Sequence, residues 1–328
     1  MEGVVDFHLR KIYAAIGGID LCVTEFIRVT QTVLPRHVFI KSCPELLEQN
    51  QRLEVVGKKT ASLPIRIQLL GSDPKLLGLN AQKAAELGAI GIDLNFGCPA
   101  KGVNRNRGGA CLLDETELIK DIVKSVRDAV PNELPVTAKI RLGYENRNSY
   151  LDNAKAIADA GASELVVHAR SKSDGYKPPA YWHYCADIRN AINIPVIANG
   201  EIWTVEDYQR CVEQSECENV MLGRGLLANP FLAHEIRESA NTSATNITAK
   251  SDADKEQNTM NNWTLIAPLL LAFFEETSQA YPAKFMGNRV KQWLHYLQRH
   301  HPQAEQLFQN IKKLRDYEGI RSAIKASY

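Results

Sequence analysis

The chain has 328 residues, 45% of them hydrophobic and 23% charged, with a formal net charge of +1. That length allows one large α/β domain plus a smaller one, and the near-neutral total excludes a uniformly basic surface, so a nucleic-acid partner would have to meet a local patch. Seven cysteines at 22, 43, 98, 111, 185, 211 and 217, with no CxxC pair and no clustered histidines, argue against a disulfide framework and against a metal site. No apolar stretch reaches membrane-span length and no basic-then-apolar leader opens the chain, so a soluble cytoplasmic protein is expected.

A helix is expected to begin near Asp6. Seven short apolar segments then read as strands: DLCVTEF (20–26), IRIQLL (65–70), GIDLNF (91–96), PVTAKIRL (135–142), ELVVHA (164–169), PVIANG (195–200) and NVMLG (219–223). Between them lie amphipathic stretches at 80–87, 115–130, 150–160 and 205–213. Repeated βα units with near-continuous apolar strands indicate a parallel sheet covered by helices. Gly88 and Gly161, each between a helical pattern and the next strand, fit the left-handed position that closes a helix.

An α/β (β/α)8 TIM barrel needs one strand more, placed before the helix near Asp6, so the chain reads as lacking the barrel's first strand. An open doubly wound sheet is the alternative; polar residues at successive strand ends favour a closed ring. After Phe231 the alternation stops, and 239–262 is polar enough to read as a disordered linker. Helical spacing returns from Trp263 onward. The expected organisation is therefore a barrel over 1–238, a linker over 239–262 and a helical domain over 263–328. Between Lys284 and Lys325 nine Lys or Arg face three Asp or Glu, so the neutral total hides a basic end.

The chemistry is expected at the carboxyl ends of the strands. Cys98 follows the apolar run GAIGIDL in the turn Asn95-Phe96-Gly97-Cys98-Pro99, where Gly97 permits a positive φ and Pro99 fixes φ near about −65°. A lone cysteine is commonly a small buried hydrophobe. At a strand end, a thiol that is mostly protonated at neutral pH can donate a proton as well as attack. Gln68 and Asn95 are amides on apolar strands. Lys139 and Arg141, two apart, point the same way and face inward if Thr137 does. His168 ends the next strand, with Arg170 at the same parity. The turns Asn199-Gly200-Glu201 and Gly223-Arg224-Gly225 suit a phosphate cradle. Together these suit a phosphate-bearing flavin, hence a flavin-dependent barrel oxidoreductase, with an aldolase using Lys139 as a Schiff base as the rival.

The segments NFGCPAKGVNRNRGGACLL, AKIRLG, ELVVHAR, PVIANGEI and VMLGRG resemble the tRNA-dihydrouridine synthases over nearly the whole chain, and LCVTEFIRV with NRVKQWLHYL resembles their C-type subgroup. The resemblance implies an FMN site using Met1, Glu2, Gln68, Lys139, His168, Asn199, Gly200, Glu201, Gly223 and Arg224. It implies NADPH (or NADH) as reductant, hydride transfer to C6 of a flipped-out uracil and Cys98 as the proton donor to C5. It further implies that Asn95 contacts the nucleotide, that position 16 of the D-loop is the target, and that Arg28, Tyr176, Arg289, Lys291, Tyr296 and Lys312 orient the tRNA. Lys312 stands where an arginine is usual, which keeps the charge and loses bidentate geometry. The alternatives are a free-pyrimidine or dihydroorotate-type flavin dehydrogenase and a tRNA-binding factor without catalysis.

Overall fold

The computed structural model describes residues 2–47, 54–55, 58–59, 63–242 and 252–328. In chain order the elements are α1 (Phe7–Ile16), β1 (Cys22–Val23), β2 (Ile27–Arg28), α2 (Arg36–Ser42), β3 (Glu54–Val55), β4 (Lys58–Lys59), β5 (Ile65–Leu70), α3 (Pro74–Glu86), β6 (Ile92–Phe96), α4 (Lys101–Arg105), α5 (Thr116–Ala129), β7 (Val136–Arg141), α6 (Tyr150–Asp159), β8 (Glu164–His168), α7 (His183–Ala191), β9 (Val196–Asn199), α8 (Val205–Ser215) and β10 (Asn219–Met221). There follow α9 (Arg224–Ala228), α10 (Leu232–Thr242), α11 (Asp252–Ala280), α12 (Asn288–Leu297), α13 (Pro302–Ile311) and α14 (Tyr317–Lys325). They group into two units: Met1–Glu2, Leu21–Asn50 and Pro64–Gly223 in the first, and Gly3–Asp20, Gln51–Leu63 and Arg224–Tyr328 in the second.

In the first unit the strands run in the order β1, β5, β6, β7, β8, β9, β10, with β2 also on β5, and every pairing in this sheet is parallel. Among the described residues β1 and β10, the ends of that path, do not pair, so the sheet is a curled part of a barrel. Within the expected strand over 20–26 only β1 forms, and β2 follows just past it; the two meet opposite ends of β5.

Period-two alternation separates the two faces of the sheet. Ile92, Leu94 and Phe96 of β6, Val136, Ala138 and Ile140 of β7 and Leu165 and Val167 of β8 are fully or almost fully buried, in one core with Leu77 and Ala81 of α3, Ile119, Ile122 and Val126 of α5, Ile157 of α6 and Ile188 of α7. Each Val, Leu, Ile or Phe side chain among them contributes about 1.5–3 kcal/mol by leaving water. The other face carries Gln68, Asp93, Asn95, Thr137, Lys139, Arg141, His168 and Asn199, and at its amino end Arg66 pairs with Glu164 at 2.6 Å. Gly88 and Gly161, both at φ +93°, follow the ends of α3 and α6 as expected. Helix α3 begins earlier than its apolar pattern, because Asp73 caps the Leu76 N–H and Pro74 occupies the first turn.

The second unit has its own core, built from Leu9 and Ile12 of α1, Phe273 and Phe274 of α11, Trp293 and Leu297 of α12, Leu307 of α13 and Ile320 of α14. Helix α1 therefore belongs with the C-terminal helices, where the sequence pattern had grouped it with the barrel. The segment expected to be a linker is helical at both ends: 239–242 completes α10, and 252–262 opens α11. Its polarity misled because Lys, Glu and Gln form helices well although they are polar. Residues 243–251 lie outside the described residues.

Candidate active site

Cys98 sits just past β6, half-buried, in a turn pinned from several directions. Asn95 Oδ1 accepts from the Gly97 N–H at 3.0 Å and the Cys98 N–H at 2.9 Å. Arg141 Nε donates to the Gly97 carbonyl at 2.9 Å, while Asn104 Nδ2 and the Ala110 N–H each donate to the Cys98 carbonyl at 3.0 Å. Gly97 itself does not take up positive φ; the glycine that does is Gly109, at φ +71°, packed against Cys98. Asn104 and Gly109 are the site residues that the strand-end survey missed. The adjacent pair Gly108-Gly109 was the available signal. Burial raises the Cys98 pKa above the ordinary thiol value, and Glu2 adds to this, while a hydrogen bond from the Ala100 backbone and the Arg28 charge oppose it. The thiol is protonated at neutral pH.

Lys139 points to the polar face as expected, with Nζ 2.9 Å from Asn199 Oδ1, and Asn199 Nδ2 donates to the Met221 carbonyl at 2.7 Å. Desolvation, then the like charge of Arg141, lowers the Lys139 pKa to about 8, so the lysine is mostly protonated at pH 7. Arg141 faces the same side, but its guanidinium is spent on backbone: Nη1 donates to the Ser171 and Gly175 carbonyls, both at 3.0 Å, beneath the Tyr176 ring. Arg170, with no exposed side-chain surface, pairs with Glu201 and donates to the Pro179 carbonyl at 3.1 Å. Glu201 also accepts from Trp203 Nε1 at 3.0 Å. Its carboxylate is thus held by this chain's own donors.

His168 is almost fully buried, its ring centroid 6.1 Å from that of Tyr176. Gly200, at φ +111°, lies so close that a Cβ would come within 2.7 Å of the His168 ring. One end of the sheet therefore gathers Gln68, Asn95, Cys98, Lys139, His168 and Asn199. Arg28 pairs with Glu2 at 2.9 Å. Met1 lies outside the described residues.

The profile described as dihydrouridine synthase matches residues 1–325. The chain belongs to the dihydrouridine synthase family. A tRNA-dihydrouridine(16) synthase of Aquipseudomonas alcaligenes is 46% identical over 328 residues, which is 100% of this chain and 98% of that protein. Proteins of the same description from Shewanella oneidensis and Pseudomonas syringae are 44% and 47% identical, each over 98% of this chain and over 94% and 95% of their own. A solved old yellow enzyme homologue from Zymomonas mobilis aligns with TM-score 0.48 and 13% identity over 76% of this chain and 86% of its own.

In this dihydrouridine synthase family member the remaining expected residues are dispersed over both units. Gly223 ends the first unit, whereas Arg224 opens α9 in the second. Arg289 pairs with Asp6 at 2.9 Å and donates to the Gly3 and Val4 carbonyls, and Lys291 donates to the Leu314 carbonyl at 2.7 Å. Tyr296 is half-buried against the second core, while Lys312 on the α13 cap and Tyr176 are exposed. Among the described residues no cluster of three or more His, Cys, Asp or Glu could hold a metal ion, and no helix is long and apolar enough to cross a membrane.

Proposed function

We propose that this dihydrouridine synthase reduces uridine to 5,6-dihydrouridine in the D-loop of tRNA, at position 16, with FMN as cofactor and NADPH as reductant. The observation that carries the reading is Cys98: a thiol held protonated by burial, in a turn fixed by Asn95, Arg141, Asn104 and Ala110. Position 16 and the tRNA itself rest on the relatives' descriptions.

The residues present fit a phosphate-bearing flavin. Lys139 offers an inward cation engaged by one amide, and Arg170 Nη1 is a buried donor without an acceptor among the described residues. Lys139, His168, Asn199, Gly200 and Gly223 would hold the group, with Gln68 near its ring, while Glu2 and Glu201 act through their partners Arg28 and Arg170. When bound, the flavin supplies the hydride that adds to C6 of the uracil. Cys98 then delivers its proton to C5, which completes the saturated ring and leaves a thiolate that takes a proton back from water. Asn95 holds the Cys98 turn through Oδ1 and gives one Nδ2 hydrogen to Gln68, and its second Nδ2 hydrogen would serve the base. Arg28, Tyr176 and Lys312 present exposed surface for the tRNA backbone; Arg289, Lys291 and Tyr296 contribute from α12.

The test is dihydrouridine formation on unmodified tRNA transcripts by wild type and Cys98→Ala. The variant should purify with its flavin and still be reduced by NADPH, yet lose roughly 10²–10⁴-fold in turnover, as expected for a missing general acid. Undiminished turnover would remove Cys98 from the mechanism, and absence of bound flavin from the wild type would remove the cofactor assignment.

A further inference from the structure

The Cys98 turn is tied to a carboxylate deep in the sheet. The backbone N–H groups of Gly97 and Cys98 can only donate, so Asn95 must face them with its oxygen. Asn95 Nδ2 then donates to Gln68 Oε1 at 2.7 Å, which leaves Gln68 Nε2 in need of an acceptor. Asp93 Oδ2 is that acceptor, at 2.6 Å, and Oδ1 accepts from the Thr137 hydroxyl at 2.6 Å. The direction of every bond in the chain is thereby fixed, from a turn that has only donors to a core group that accepts.

An apolar residue would serve packing better at position 93, which is 1% exposed and where burial raises the carboxyl pKa against the pull of Thr137, Gln68, Lys139 and Arg66. Two amides in series have a second way to lie, with oxygens and nitrogens exchanged; that arrangement would aim the Asn95 amide nitrogen at two N–H groups. We propose that Asp93 is a positioning residue for the reaction: by accepting from Gln68 it selects the one orientation of the Gln68–Asn95 pair that holds the Cys98 turn closed.

Such a role rests on Cys98 being the proton donor. Thiol alkylation, however, reads the turn without any turnover, so failure of one leaves the other standing. The experiment measures iodoacetamide modification of the full chain between pH 7 and 9.5, resolved by peptide mass spectrometry at Cys98, Cys111 and Cys22, the three half-buried cysteines. In Asp93→Asn the new amide can donate as well as accept, so Gln68 loses its fixed end. Asp93→Leu removes the acceptor altogether.

Cys98 should be modified about threefold faster or more in both variants, with a displaced pH profile and with Cys111 and Cys22 unchanged. In a Gln68→Met background Asp93→Asn should have no further effect, because the connection is already cut. Unchanged Cys98 kinetics in Asp93→Asn and Asp93→Leu, an equal rise at all three cysteines, or an effect of full size in the Gln68→Met background would each overturn the proposal.

Discussion

At Gly109 a Cβ would lie 2.8 Å from the Cys98 carbonyl oxygen and 3.0 Å from Cys98 Cβ, in a backbone already at φ +71°. Neither the oxygen nor the turn can retreat, since Asn104 and the Ala110 N–H both hold that carbonyl. Gly109→Ala should therefore cost about 1–3 kcal/mol, seen as a lower urea midpoint with unchanged m-value. A stability within 0.3 kcal/mol of wild type, to about that precision, would mean that the loop has slack the geometry does not suggest. Cys98, Lys139 and Asp93 show three outcomes of burial on one face. The thiol is kept neutral, the ammonium is brought to a pKa of about 8, and the carboxyl is raised yet used as an acceptor.

At the scale of elements, the strands position the site by parity and the helices by their caps. Helix α8, which follows the Asn199-Gly200-Glu201 turn, begins with a reciprocal box: the Asp207 N–H donates to Thr204 Oγ1, and the Thr204 N–H donates to Asp207 Oδ2, both at 3.2 Å. Asp207 also accepts from the Trp203 N–H at 2.9 Å, which joins the cap to the residue that holds Glu201. Thr204→Ala should lower stability by about 1 kcal/mol in equilibrium denaturation. Thr204→Ser should recover most of it. Equal losses in the two variants would assign the effect to packing of the methyl group.

Across the whole molecule, the second unit carries a pH liability apart from the site. His301 precedes α13 at 2% exposure, its ring centroid 6.1 Å from that of Trp263. Desolvation, then the neighbouring His300, lowers its pKa from 6.5 to about 4. Folding thus favours the neutral ring: its contribution is fully present above pH 6.5 and is lost as pH falls towards about 4, because the unfolded chain takes the proton first. The full span corresponds to about 3 kcal/mol. The fall in urea midpoint between pH 7 and pH 4.5 should be smaller in His301→Leu than in wild type; equal falls would place the acid sensitivity elsewhere.

The parallel βα order, the inward row of Lys139 and Arg141, the closing glycines 88 and 161 and the place of the Cys98 turn at a strand end were all legible in the sequence. Each follows from local rules: alternation of period two, left-handed φ at a helix end, and a strand that stops at a breaker. Local pattern misjudged Gly97, the two ends of the segment at 239–262 and the grouping of α1, because a polar run can be helical and because membership of a unit is decided by which core a helix covers. Arg170 with Glu201, Arg289 with Asp6 and the line from Asp93 to Cys98 join residues between 3 and 283 positions apart. The sequence determined which groups stand at the strand ends, since parity and burial are local. Only the tertiary structure decided which of them are already engaged, since a hydrogen-bond partner is chosen by distance in space.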